Sequence, residues 1–264
     1  MSRIAAYIGP PVSLAQLIYE RSHALERQAY APREMTDGAV SVDGSGLAWW
    51  REDDSEPLRY VTASPPRSDA NLPHLASRFE GRTIVATVRS APAGISTGAG
   101  TVPPFALDGI AGTHDGVLCR FREVTAARCL AKLPENLVGE SEGLSDSLAV
   151  FLLAVAARRE DPDLALSGAL VGAVGTAMRI CADAGAGCSL NVLLATADEV
   201  VAVRTAREVE ANSLYVRNGI EEGAGAWLAS EPLDDEPGWE PVPVDHVVRM
   251  TRTGLSIKPT RIHP

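Results

Sequence analysis

Hydrophobic positions fall into short runs at both ends of the chain, with two long helical stretches between them. Ile4 to Ile8 is a continuous apolar run closing on Gly9-Pro10-Pro11, and its plainest reading is a start methionine followed by an edge strand. Past the double proline, Leu14, Leu17 and Ile18 suit a short helix over 12–19. The segment 27–44 reads as loop, punctuated by Pro32, Gly38 and the Asp43-Gly44 turn signal. Strands are predicted at 47–50 and 58–62 around an acidic turn, and at 83–88, a buried run that ends on Arg89. A short helix is expected over 72–79. A Gly- and Ser-rich loop over 93–101 leads to a strand at 110–113, which ends on His114-Asp115-Gly116.

The two central stretches, 146–158 and 164–181, carry apolar residues at helical spacing around Asp161-Pro162. Both are rich in Ala and Val with little charge, so they should lie buried against a broad surface such as a sheet. Strands follow at 190–196, 200–205, 213–217, 226–230 and 246–250, with Asp198-Glu199 as a tight turn. Strands at both ends with helices between them predict an α+β fold whose terminal segments share sheets. No linker-like composition or internal repeat divides the chain, so residues 1–264 are expected to form a single domain.

Composition narrows the function classes. With 45% hydrophobic and 22% charged residues the chain can bury a sizeable core. A net charge of -10 argues against a phosphate-binding surface and against an anionic membrane face. Cys119, Cys129, Cys181 and Cys188 show no metal-ligand spacing and read as buried free thiols. No signal-peptide pattern opens the chain and no apolar run reaches membrane-spanning length, which predicts a cytoplasmic protein.

The chain start has chemistry of its own. If Met1 is removed, Ser2 presents a free α-amino group beside its own hydroxyl. Such an amine titrates near pH 8 and can take the hydroxyl proton.

Further motifs accumulate along the chain: Tyr30-Ala31-Pro32-Arg33, S-V-D-G-S-G over 41–46, Val88-Arg89-Ser90-Ala91, Pro104-Phe105, His114-Asp115-Gly116, Asp146-Ser147, L-N-V-L-L-A over 190–195, and L-A-S-E-P-L-D-D-E-P-G-W over 228–239. With the opening M-S-R-I-A-A-Y-I-G, they make residues 1 to about 250 resemble the class II glutamine amidotransferases, which are N-terminal-nucleophile hydrolases. The chain is most similar to the branch that hydrolyses a γ-glutamyl amide in ergothioneine biosynthesis. The resemblance implies a four-layer αββα sandwich.

It also implies roles. Ser2 stands at the nucleophile. Arg89 would bind the α-carboxylate of a γ-glutamyl group, since a guanidinium fork matches a carboxylate; the plain alternative is a structural arginine at a strand end. Asp146 would hold the α-ammonium, or cap the helix it opens. Gly116 would give a backbone N–H to the oxyanion, and Asp43, Gly44 and His114 fall with the substrate-binding residues. Two departures stand out: the family's nucleophile is Cys where this chain has Ser2, and its second oxyanion donor is Asn where this chain has Asp115. An ionised carboxylate only accepts hydrogen bonds, so only a protonated Asp115 could donate there.

Two readings follow. One is a γ-glutamyl hydrolase working through Ser2; the other is a catalytically silent relative that binds a γ-glutamyl ligand or a protein partner. Both expect a small γ-glutamyl compound as ligand and no cofactor, metal, nucleic acid or membrane, with a homo-oligomer or protein partner left open.

Overall fold

The computed structural model describes residues 2–35, 40–90, 98–140, 143–219 and 224–262. Its strands are β1 (Arg3–Ser13), β2 (Gly44–Trp50), β3 (Leu58–Thr62), β4 (Glu80–Arg89), β5 (Phe105–Leu107), β6 (Ile110–Leu118), β7 (Cys188–Ala195), β8 (Glu199–Arg207), β9 (Tyr215–Asn218), β10 (Ala226–Ala229), β11 (Glu240–Pro241), β12 (His246–Thr251) and β13 (Gly254–Pro259). The α-helices are α1 (Leu25–Tyr30), α2 (Leu72–Ala76), α3 (Ala126–Leu130), α4 (Glu135–Glu140), α5 (Asp146–Glu160) and α6 (Leu166–Asp183).

The strands pair antiparallel into two sheets, ordered β11-β9-β10-β1-β4-β2-β3 and β13-β12-β8-β7-β6-β5. Alternation along β1 decides the layering. Ile4, Ala6 and Ile8 pack with Ala111, Leu193 and Ala202 of the second sheet, forming the middle core. Ala5 and Tyr7 turn the other way, onto Leu25, Ala29 and Leu72 of α1 and α2. The second sheet repeats the device, sending Val192, Leu194 and Val203 onto Phe151, Leu170 and Val174 of α5 and α6. Helix, sheet, sheet and helix are thus stacked, the α+β sandwich expected from the sequence. Of α5 and α6 no part is long and apolar enough to cross a membrane, nor is any other helix among the described residues.

Several elements differ from the sequence reading. The first strand is central, lying between β10 and β4, rather than at an edge. It also continues through Pro10 and Pro11 to Ser13, so the short helix expected over 12–19 is reduced to a turn over Gln16–Glu20. The prolines fit because the β1–β4 register shifts between Ile8 and Val12, at an irregularity where a missing N–H is tolerated. The start of the expected loop 27–44 belongs to the helix Leu25–Tyr30, a stretch too short for apolar periodicity to reveal. Helix α2 stops at Ala76 rather than 79. Strand β6 does not end before His114 but carries His114, Asp115 and Gly116 inside it, to Leu118. Of the loop expected over 93–101, positions 93–97 lie outside the described residues, and Ala99–Thr101 forms a single helical turn. The cysteines are all free, and Cys119 is half-buried rather than buried.

Because the middle core is built largely from small and β-branched residues of facing sheets, it has little room to collapse around a void. Ile8 is fully buried there. Ile8→Ala is expected to lower unfolding stability by about 2–5 kcal/mol, read from urea denaturation; a loss well under 1 kcal/mol would contradict the tight packing described.

Candidate active site

The site forms where three strands of the first sheet end level with one another. The β1–β4 register pairs Arg3 with Val88, so one step further Ser2 stands level with Arg89; the β2–β4 register pairs Gly44 with the same Arg89. The Asp43 N–H donates to the Arg89 carbonyl at 2.8 Å, tying the S-V-D-G loop to the end of β4. A Cβ on Gly44 would lie 2.8 Å from Val102 and 3.0 Å from the Thr62 carbonyl, which explains the glycine after Asp43.

Arg89 is 4% exposed, and its guanidinium donates to Thr101 Oγ1 at 2.8 Å. Burial disfavours its cation and holds its pKa below the ordinary value, against the opposing pull of Asp146 and then Asp43. Those two carboxylates therefore lie close enough to act on its charge. Asp146 is not the cap of α5: Ser145 is, its hydroxyl accepting the Leu148 N–H at 3.1 Å. The Asp146 carboxylate instead reaches across to β6, accepting the Leu118 N–H at 3.1 Å and the Ser147 N–H at 2.8 Å. The structure thus brings Arg89, Asp43 and Gly44 together beside the chain start, with the Asp146 charge acting on the Arg89 guanidinium.

Strand β6 separates the remaining three residues by alternation. His114 faces the helices: its Nδ1 meets Ser147 Oγ at 3.2 Å and its Nε2 donates to the Ser189 carbonyl at 3.1 Å. A Cβ on Gly116 would sit 2.0 Å from that same carbonyl and 2.5 Å from His114 Nε2, so any side chain there breaks the lock. The Leu118 N–H turns to Asp146, whereas the Cys119 N–H turns to Gly187 beside β7. By the same parity the Gly116 N–H faces away from β7, onto the strand edge that β5 leaves uncovered after pairing as far as Gly112.

Asp115 faces the other sheet. Its Oδ2 accepts from Ser230 Oγ at 2.7 Å, and its Oδ1 accepts from Asn212 Nδ2 at 2.8 Å and from the Arg3 guanidinium at 3.4 Å. Arg3, fully buried, also donates through Nε to the Ser2 carbonyl at 2.8 Å and through its other arm to Glu231 at 3.3 Å. Glu231 accepts further bonds from His23 Nε2 and the Arg33 N–H, each at 2.8 Å, and from the Glu34 N–H at 3.1 Å. Burial pushes the Glu231 carboxyl up, but those hydrogen bonds and the Arg3 charge outweigh it and leave the pKa below its ordinary 4.5.

Arg3, Ser230, Glu231, Asn212 and His23 received no role from the sequence. The signal for two of them was present in the motif over 228–239, whose Ser230 and Glu231 hold Arg3 and Asp115. A third motif residue, Asp234, gathers Arg21, Arg217 and Trp239 Nε1. Asn212 stands in an irregular segment with no pattern to mark it. Among the described residues no group of three or more His, Cys, Asp or Glu side chains is placed to hold a metal ion.

Comparison with known proteins gives this geometry its setting. No family model matches the chain. The γ-glutamyl-hercynylcysteine sulfoxide hydrolase of Mycobacterium tuberculosis CDC 1551 is 27% identical over 257 residues, covering 97% of this chain and 96% of that protein. The hydrolase of the same name from Mycolicibacterium smegmatis is 29% identical over 259 residues, covering 98% and 100%. A glutamine aminotransferase class-II domain protein from Silicibacter pomeroyi superposes with a TM-score of 0.70 at 22% identity, covering 98% of this chain and 99% of its own. The fold is that of a class II glutamine amidotransferase domain. The glutamine phosphoribosylpyrophosphate amidotransferase of B. subtilis shares it at a TM-score of 0.64 and 13% identity, this chain matching 49% of that longer one.

A carboxyl whose folded pKa is depressed contributes stability above its unfolded value and loses it as pH falls through the folded value. Glu231 and Asp234, which burial pushes up but hydrogen bonds hold below the ordinary range, are both of this kind. The melting temperature is expected to change little between pH 7 and about 5 and to drop below about pH 4. Glu231→Gln should flatten that acid slope while lowering stability at neutral pH, and an unaltered slope would remove Glu231 from the account.

Proposed function

We propose that this protein is a γ-glutamyl amide hydrolase of the class II glutamine amidotransferase type, working through Ser2 as N-terminal nucleophile. The observation that carries the reading is the buried Arg89, at the level of the chain start, whose charge is acted on by Asp146 and Asp43. One buried cation beside two carboxylates suits the head of an α-amino acid, whose carboxylate and ammonium need opposite partners. The names of the mycobacterial relatives, γ-glutamyl-hercynylcysteine sulfoxide hydrolases, favour a γ-glutamyl substrate, and the resemblance read in the sequence points to ergothioneine biosynthesis.

In this mechanism Arg89 takes the α-carboxylate and Asp146 the α-ammonium, which fixes the γ-carbonyl over Ser2. The free α-amine of Ser2 accepts the hydroxyl proton as Oγ attacks the carbonyl carbon. The tetrahedral oxyanion accepts the Gly116 N–H, which faces the open edge of β6. Collapse breaks the C–N bond, the amine leaves with the proton, and a glutamyl ester remains on Ser2. Water activated by the α-amine of Ser2 cleaves the ester, which frees glutamate and returns the hydroxyl to Ser2.

The second reading, a silent binder of γ-glutamyl ligands or of a protein partner, is favoured by the hydroxyl nucleophile and by the carboxylate at Asp115. Hydrolysis of glutamine and γ-glutamyl amides, followed beside the Ser2→Cys and Ser2→Ala variants, separates the two. Turnover that Ser2→Ala abolishes supports the hydrolase; no turnover by wild type leaves the binder.

Met1 is expected to be removed in the cell, since a small second residue permits it and the mechanism requires the amine. Intact-mass measurement of the native protein checks this, and complete retention of Met1 would end the hydrolase reading. Arg89→Ala is expected to weaken binding of a γ-glutamyl compound by roughly 2–5 kcal/mol, the cost of leaving a buried partner unpaired. Calorimetry with unchanged affinity would put the ligand elsewhere.

A further inference from the structure

We propose that Asp115 is a positioning residue for Ser2, and that the oxyanion hole of this chain is built without its side chain. The inference rests on the hydrolase reading and assigns Asp115 a role opposite to a lost donor. Its carboxylate is fully buried, and both oxygens are already engaged by Ser230, Asn212 and Arg3. It lies on the inter-sheet face of β6, whereas the Gly116 N–H lies in the plane of the sheet at the open edge.

From that place Asp115 grips the chain start twice. One grip runs through Arg3, whose Nε holds the Ser2 carbonyl at 2.8 Å. The other runs through Ser230, whose hydroxyl donates to Asp115 and accepts the Ile4 N–H at 3.0 Å. An amide at this position cannot serve both grips. With its oxygen toward Asn212 and Arg3, its NH₂ meets the Ser230 hydroxyl, whose hydrogen then loses its acceptor. Turned over, the NH₂ confronts two other donors. In either orientation Arg3 keeps, among the described residues, only Glu231 as a charged partner.

The consequence reverses the expectation drawn from the resemblance, in which Asn in place of Asp115 restores a donor. Turnover of L-γ-glutamyl-p-nitroanilide is measured for wild type, Asp115→Asn, Ser2→Cys, and Asp115→Asn combined with Ser2→Cys. Asp115→Asn is expected to lower kcat at least tenfold with KM within about twofold, in both the Ser2 and the Ser2→Cys backgrounds. A rise in kcat in either background overturns the proposal and puts the side chain at the oxyanion. If Asp115→Asn does not fold, Ser230→Ala and Asn212→Ala, which each remove one donor to Asp115, carry the test; each should lower kcat with KM kept, and an unchanged kcat in both overturns it.

Amide hydrogen exchange at Ile4 reads the same grip without turnover. Exchange at least tenfold faster in Asp115→Asn supports the positioning role, and an unchanged rate sinks it. Absence of turnover in wild type, with Ile4 exchange still accelerated, refutes the hydrolase reading alone.

Discussion

The fold around the candidate site depends on one buried cation. Arg3 is fully enclosed, yet its guanidinium touches the chain start, the second sheet through Asp115, and the segment after β10 through Glu231. Removing a charge of this kind from water costs several kcal/mol, and two carboxylates with further donors around them offset that cost. The arrangement is an expensive way to hold two sheets together and a specific one. Apolar residues of equal volume would bury as much surface, but they would not fix where Ser2 lies relative to Arg89.

The second organising element is the alternation of β6. One strand serves two purposes because adjacent residues face opposite layers. His114 is pinned between α5 and β7, which forces glycine at 116 by leaving no space for a side chain. Asp115, between them, belongs to the other face and to the chain start. The three-residue motif is therefore a junction: a helix-side lock, an inter-sheet counter-ion, and an in-plane N–H at a free edge.

Much of this was legible in the sequence. The runs at 47–50, 58–62 and 83–88 became β2, β3 and β4, and the two Ala-rich stretches became α5 and α6, because long periodic patterns report burial directly. Arg89, Asp43 and Asp146 were named before their proximity was visible, through motifs rather than through periodicity. What stayed hidden was of two kinds. Short or irregular elements escaped: α1 has barely a turn and a half, and β1 passes through two prolines at an irregularity that no apolar count reveals. Long-range polar partnerships escaped as well. Nothing in the neighbourhood of Asn212 or His23 says that each will meet a side chain from a distant segment, since hydrogen-bond pairing leaves no periodic trace.

The central place of β1 has a consequence for how the molecule is made. Its neighbour β4 follows within about ninety positions, but Ala5 pairs with Ala229, more than two hundred residues away. At a synthesis rate of about 5–20 residues per second, the beginning of the chain waits on the order of ten seconds or longer before that partner leaves the ribosome. Throughout that interval one edge of the first strand is unsatisfied, and Arg3 is without its Glu231 partner. The same order of emergence that exposes an apolar strand to wrong partners also leaves the first residues open to trimming. The last third of the chain, by supplying β10 and Glu231, closes that period.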